Sequence, residues 1–344
     1  YNIMGKAFVS LFISLILLIS FHIVFFIINM YFWIIDGYQV LFHGGTLIEN
    51  LYYSIYLKWM LLLDALWILS IFVYAFRRKS YKTNPQLHYL ETKPKIDPNV
   101  CVIIPTFNEE KIIQNMLNEF SSQPYVKNII VVDNNSSDNT VNLAKQSGAI
   151  VIEKKFNKGY TDSCIVGFRE SLKTNSNIIS LIDADGTFSP NDLKKMIPYL
   201  ENCDLVLGTR QVQTLTEKGN QNSMFYVWGN MLLAKLLQLK YFSLLHLGIV
   251  QLTDVGCSYR CIRKDALEII IDELTNPIDS SILNPKNWLF SLYMTMLSIE
   301  NDLKIVEIPL TFKKRNVGES KSEVTKKSKG IVYGMKFLWF ILKR

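Results

Sequence analysis

The order of apolar and polar positions divides the chain in two. From residue 7 to 35 no Asp, Glu, Lys or Arg interrupts an apolar run, which is longer than the ~20 residues a helix needs to cross a bilayer. A second run, 59–76, is broken only by Asp64. A carboxylate at mid-bilayer costs about 2.5–3.5 kcal/mol on insertion scales, so Asp64 is expected to be protonated or to face another helix. Lys58, at the edge of that run, can snorkel. The first run is too long for a signal peptide, and no small-residue cleavage site follows it. The stretch 36–50 reads as a loop holding Asp36 and Glu49 without Lys or Arg, whereas Arg77, Arg78 and Lys79 follow the second run. The positive-inside rule puts those basic residues, the N-terminus and everything after Phe76 on the cytoplasmic side. Residues 1–79 are thus expected to form a membrane anchor of two transmembrane helices. Residues 80–98, polar with several prolines, read as a linker.

Downstream the period changes. Short apolar runs at 100–105, 126–133, 149–153, 178–182 and 204–208 have the length of buried strands. Segments 109–120, 138–146, 158–172 and 190–200 between them have helical spacing. Strands alternating with helices predict βαβ units, a mostly parallel sheet and an α/β fold class. In such sheets ligands bind beyond the carboxyl ends of the strands, so the residues that follow each run matter most. They are Pro105-Thr106-Phe107-Asn108-Glu109-Glu110, then Asp133 to Thr140, then Asp183-Ala184-Asp185-Gly186-Thr187, then Gly208-Thr209-Arg210. Neither a GxGxxG nor a GxxxxGK[ST] pattern occurs, so dinucleotide redox chemistry and P-loop phosphoryl transfer lack their signatures.

Asp183 and Asp185 stand one residue apart at a strand end, where two carboxylates can hold a hard divalent cation. Mg²⁺ is typically bound by one or two carboxylates plus substrate phosphates, and there it would neutralise a departing diphosphate. The competing reading is that acidic residues favour turns and caps. Ser189 and Asn191 are better caps for the helix that starts near Pro190. Asp133 either satisfies turn amides or accepts from a base N–H. Glu109 and Glu110 fall in a first helical turn, which the helix dipole favours in any case.

Composition narrows the classes. With 49% hydrophobic and 19% charged residues the chain is not disordered. Five cysteines, all after residue 100, are too sparse for a disulfide scaffold and lack zinc-site spacing, so free thiols are expected. The net charge is +7; residues 1–76 carry two lysines against three carboxylates, a net −1, which leaves +8 downstream. A basic, oily chain points to a membrane surface or phosphate-bearing ligands rather than nucleic acid. Two later segments fit the membrane surface. The stretch 222–250 is apolar but holds Lys235, Lys240 and His246; two lysines argue against a third span, so it reads as an interfacial helix. The end, 326–344, reads as a basic amphipathic segment. Both also fit ordinary core helices.

Cys101 to Glu109, the stretch from Val131 to Thr140, Asp183-Ala184-Asp185 and Gly208-Thr209-Arg210 resemble inverting family 2 glycosyltransferases of the GT-A fold. Val306 to Phe312 and Arg315 to Lys321 are similar to dolichyl-phosphate mannose synthases and polyprenyl-phosphate glucosyltransferases, and the resemblance covers residues 99–325. It implies a GT-A catalytic domain with a Rossmann-like mixed sheet. Pro105, Phe107 and Glu109 would line the base and ribose pocket, with Asp133 on the base. Asp183 and Asp185, with Ala184 between them, would hold Mg²⁺ or Mn²⁺ against the donor diphosphate. Arg210, Arg315 and Lys321, helped by Ser320, would bind phosphates of donor and acceptor. The implied partners are a UDP- or GDP-linked sugar, a polyprenyl (dolichyl) phosphate and membrane lipid, with no nucleic acid; a homo-oligomer is left open.

The chain departs from that pattern in three places. Thr187 replaces a Gln that serves as a further metal ligand, Asn134 replaces an acidic residue beside Asp133, and the stretch from Thr253 replaces the usual acceptor motif but keeps Asp254, Gly256 and Arg260. Asp254 and Arg260 are therefore acceptor-site candidates. A lipid phosphate is already anionic and needs no strong base; the site must position two phosphates, which cations do well. The expected function is inverting transfer of one sugar to a polyprenyl phosphate at the cytoplasmic face. The alternatives are transfer to a hydroxyl, with Asp254 as base, and a non-catalytic membrane scaffold. A processive polysaccharide synthase would need a Gln-x-x-Arg-Trp motif, and no Arg-Trp pair occurs.

Overall fold

A computed structural model describes residues 2–43, 55–77, 96–212, 215–217, 224–242, 250–277, 279–284, 288–315 and 327–344. The chain divides into two compact units, the smaller built on residues 1–80 and the larger on 81–241 and 249–339.

The smaller unit is a pair of helices, α1 (Asn2–His43) and α2 (Ile55–Arg77). Within them Ile13–His43 and Ile55–Val73 are long and apolar enough to cross a membrane. Leu41, Ile34, Ile27 and Leu69 are exposed, an outer surface suited to lipid rather than water. Three polar side chains inside the spans bond locally: Ser20 Oγ, Asn29 Nδ2 and Ser70 Oγ each donate to the carbonyl four residues earlier. The helices meet where Phe32 stacks on Tyr56, with centroids 5.3 Å apart. Asp64 faces the other helix, as expected, with Oδ1 2.9 Å from His22 Nδ1. Residues 36–43 of the expected loop are instead helical, α1 running unbroken through Asp36 to His43, and 44–50 lie outside the described residues. Gly37 is the weakest helix former within 36–43, and no proline interrupts the helix.

The larger unit holds a sheet of order β3-β2-β1-β4-β6-β5-β7. Its strands are β1 (Val100–Thr106), β2 (Val126–Asp133), β3 (Ile150–Glu153), β4 (Ile178–Leu181), β5 (Leu205–Thr209), β6 (Arg260–Arg263) and β7 (Ile305–Pro309). All pairings are parallel except those of β6, which lies antiparallel between β4 and β5. The mixed α/β sheet agrees with the expected fold class. β1 is apolar on both faces: Val100, Val102 and Ile104 join one core cluster and Cys101 the other. Burying such side chains stabilises by roughly 1.5–3 kcal/mol each.

The further helices are α3 (Ile113–Ser121), α4 (Thr140–Gln146), α5 (Tyr160–Ser171), α6 (Leu193–Met196), α7 (Met224–Tyr241), α8 (Lys264–Thr275), α9 (Phe290–Glu300) and α10 (Lys327–Lys343), of which α3, α4, α5 and α8 pack against strands of the sheet. α5 packs so closely on β1 that a Cβ at Gly167 would lie 2.3 Å from Ile103 Cγ2. The helix expected over 190–200 is broken into 3₁₀, α and 3₁₀ pieces, because Pro198 supplies no N–H to the ladder. The helix expected from 109 starts at Ile113, after a turn closed by Glu109 O. Of the segment 222–250, only 224–242 and 250 lie among the described residues.

Candidate active site

Strand register brings the polar residues together. Thr106 pairs with Asp133, and Ile103 with Leu181, so the ends of β1, β2 and β4 open on the same edge. The first two ends are laced to each other. Asn108, in the left-handed region at φ 54°, donates its N–H to Ser136 Oγ and accepts from Ser137 N, both at 2.8 Å. Glu109 N–H donates to Thr140 Oγ1 at 2.8 Å. Asp133, almost fully buried, accepts from Ser136 N and Ser136 Oγ, which is the turn-capping role. Asn134 ties this end to the segment before α5, through Asn157 Oδ1 and Lys158 N. Pro105 is buried within β1 opposite Val132, and Phe107 is half-buried just beyond the strand.

Asp183 and Asp185 follow β4. Asp183 accepts from Tyr160 Oη at 2.8 Å and from Ser258 Oγ at 2.5 Å. The second contact follows from β6: Leu181 pairs antiparallel with Arg260, so the residue two after one faces the residue two before the other. Tyr160 begins α5 and stacks on Trp288, with centroids 5.5 Å apart. Asp185 Oδ1 accepts from Thr187 N and Oγ1, at 3.1 and 2.6 Å, while Ala184 is buried between the two aspartates. Arg315 reaches this carboxylate because Lys313 N–H bonds Thr187 O and Phe312 bridges Phe188. Its guanidinium spans Glu109 Oε1 at 3.1 Å and Asp185 Oδ2 at 3.7 Å.

Burial, and then the neighbouring charge of Asp185, push the Asp183 carboxyl above its ordinary value. Two like charges on hard oxygen donors are what a divalent cation would relieve, so the pair fits the expected Mg²⁺ or Mn²⁺. Among the described residues no group of three or more His, Cys, Asp or Glu side chains is arranged for a metal, so substrate phosphates and water would supply the remaining ligands.

Beside them, at the end of β5, Arg210 forms a two-point pair with Asp254: Nε to Oδ2 at 2.8 Å and Nη2 to Oδ1 at 2.9 Å. Burial alone would push Asp254 up, but Arg210 outweighs it and holds the carboxyl below its usual range. Burial likewise opposes the charge of Arg210, and Asp254 more than offsets it. Arg260, expected on the acceptor side, is instead a core residue, 1% exposed. Its guanidinium donates to the carbonyls of Cys257, Ser258 and Ser291. A side chain this enclosed braces the 257–258 segment and presents no surface to a lipid phosphate. Ser320 and Lys321 lie outside the described residues.

The sequence does not single out Tyr160, Thr253, Ser258 or Glu307 as site residues: Tyr160 takes its place from the start of α5, Ser258 from the antiparallel insertion of β6, and Thr253 from Glu307 on β7, which pairs with β5. Glu307 accepts from Thr253 N, Thr253 Oγ1 and Asp254 N.

Residues 101–270 match the family model described as glycosyl transferase family 2. The chain is 28% identical over 229 residues to an undecaprenyl-phosphate mannosyltransferase of Micrococcus luteus, covering 64% of this chain and 86% of that protein. It is also 28% identical over 233 residues to a UDP-N-acetylglucosamine–dolichyl-phosphate N-acetylglucosaminyltransferase of Methanococcus voltae, covering 62% and 85%. With protein RfbJ of Shigella flexneri the identity is 34% over 127 residues, 36% of this chain and 92% of that protein.

Proposed function

The chain belongs to glycosyl transferase family 2, and from that premise we propose that it moves one sugar from a UDP- or GDP-linked donor to a polyprenyl phosphate at the cytoplasmic face of a membrane. The observation that carries the reading is the clustering of the Asp183–Asp185 pair with two guanidiniums: Arg315 against Asp185, and Arg210 gripped by Asp254, four residues before the Ser258 that bonds Asp183. Mg²⁺ or Mn²⁺ held by the two aspartates would act as a Lewis acid on the leaving diphosphate. Arg210 and Arg315 then offer fixed positive charge to donor and acceptor phosphates, and their carboxylate partners preorganise them. Glu109, Phe107 and Pro105 border the base and ribose side, with Asp133 and its turn.

The acceptor follows from the protonation chemistry. Asp254, the one base expected for a hydroxyl acceptor, is tied at both oxygens to Arg210 and held below the carboxylate range. A phosphate oxygen is ionised already and attacks the anomeric carbon unaided. Two relatives named for polyprenyl-phosphate acceptors, with different sugars, support the same acceptor while leaving the sugar to assay. The apolar helices α1 and α2 support membrane residence. So does α7, where Trp228, Met231 and Leu232 are exposed on successive turns while Leu233, Ala234 and Leu237 are buried.

The test uses the full chain in detergent with a panel of UDP- and GDP-sugars, polyprenyl phosphate and Mg²⁺ or Mn²⁺. The expected product is an acid-labile glycolipid that requires metal and is lost in Asp185→Ala. Transfer to hydroxyl acceptors alone would overturn the phosphate reading; no transfer with any donor would favour the scaffold.

A further inference from the structure

Glu307 sits in the middle of β7, paired in register with Leu207 of β5. Its carboxylate collects three donors from two consecutive residues: Oε2 accepts from Thr253 N at 2.8 Å and Thr253 Oγ1 at 2.7 Å, and Oε1 accepts from Asp254 N at 3.0 Å. Residues 250–259 form no helix or strand, so their amides need acceptors other than a ladder. Glu307 supplies them at the residue where they matter most, because Asp254 is the residue that grips Arg210.

A second line runs to the same arginine. Thr253 Oγ1 lies 2.8 Å from Thr209 Oγ1. Thr253 already gives its hydroxyl proton to Glu307, so Thr209 is the donor there. Thr209 is the residue before Arg210, and its Oγ1 accepts from Gln211 N. Glu307 therefore reaches Arg210 by two routes, through Thr253 and Thr209 to its chain neighbour and through Asp254 across the ion pair.

We propose that Glu307 is a positioning residue for Arg210, acting through the Thr253–Asp254 segment so that the guanidinium meets a substrate phosphate already oriented. This rests on the reading of Arg210 as a phosphate-binding group. A carboxylate is required rather than an amide. Glutamine has the same shape, but its Nε2 would confront one of the N–H or O–H donors, leaving that donor without an acceptor.

The experiment compares Glu307→Gln, Glu307→Asp, Arg210→Lys and the double variant Glu307→Gln/Arg210→Lys in the full chain, with steady-state transfer kinetics and thermal melting of each. The expected result is a fall in kcat/KM of about tenfold for Glu307→Gln, the order of one charge-assisted hydrogen bond. It should be carried by KM for a phosphate substrate, with partial recovery in Glu307→Asp. The decisive arm is the double variant: with Arg210 already altered, Glu307→Gln should cost less than twofold more, because both changes disable one device. Multiplying penalties would overturn the proposal, as would a folded Glu307→Gln with unchanged kinetics. If Glu307→Gln does not fold, Thr253→Val, which removes only the hydroxyl of the second line, takes its place under the same criteria. If Arg210→Lys leaves transfer unaltered, the reading of Arg210 as a phosphate binder falls, and the proposal with it. An Arg210→Lys defect without a Glu307 defect sinks the proposal alone.

Discussion

Replacing Asp254 by asparagine tests the electrostatic centre of the site. The side chain keeps its size, loses its charge and keeps one carbonyl oxygen. In the native protein the Asp254 side chain is 0% exposed and that of Arg210 19%, so the pair is screened little by solvent. Breaking a buried pair by removing one partner costs about 3–5 kcal/mol. The retained oxygen and the partial exposure of Arg210 put Asp254→Asn at the lower end, about 3 kcal/mol. At about 2–4 °C per kcal/mol for a domain of this size, Tm should fall by roughly 6–12 °C. The assay is thermal melting in detergent followed by tryptophan fluorescence, at low salt and at ~1 M NaCl, where the Debye length is about 3 Å. A drop under about 2 °C, or one that high salt abolishes, would refute the assignment of a desolvated pair. The pH direction is fixed as well. The folded-state pKa of Asp254 lies below its ordinary value, so its contribution is present above the ordinary carboxylate range and is lost as pH falls through the folded value. Wild type and Asp254→Asn should converge only in acid.

Other outcomes follow from neighbouring contacts. Tyr160→Phe removes the phenol that holds Asp183; Mn²⁺ binding measured by calorimetry should weaken by about tenfold, as when a metal ligand loses its hydrogen-bond partner. Gly208→Ala would put a Cβ 2.0 Å from Leu310 Cδ1 and 3.1 Å from Tyr259 O, so stability measured by melting should drop by about 1–3 kcal/mol through overpacking. Burial raises Glu307 to about 7. Its folded value lies above the unfolded one, so wild-type stability relative to Glu307→Gln falls as pH rises from the ordinary carboxylate range to about 7, while the ionised form that accepts all three donors fills in over the same window and the kinetic cost of Glu307→Gln grows. All five thiols are buried, and burial pushes Cys101, Cys257 and Cys261 up to about 12. Maleimide should label them only after denaturation, as judged by mass spectrometry.

Much of the larger unit was legible in the sequence because buried parallel strands announce themselves. The runs at 100–105 and 126–133 became β1 and β2 with little change in their bounds. The chemistry just beyond them was legible for the same reason: polar groups that interrupt an apolar run at its end have few places to go but the crevice. β6 was not legible. Arg260-Cys-Ile-Arg263 is four residues long with a cation at each end, and nothing in that pattern distinguishes a central antiparallel strand from a loop. Missing β6 meant missing Ser258 as a partner of Asp183, and it left Arg260 as an acceptor-site candidate rather than a core residue.

By itself the sequence determined the kinds of groups available and the ends of strands that carry them: two aspartates after one apolar run, an arginine after another, and an oily leading segment with basic residues behind it. Tertiary structure decided which charge meets which. The partners that define the site are separated by 44 residues for Arg210 and Asp254, 75 for Ser258 and Asp183, and 206 for Arg315 and Glu109. No local periodicity reaches across such distances. Strand order and register do, because a buried carboxylate or guanidinium must find its counter-charge among the groups that the sheet brings to it.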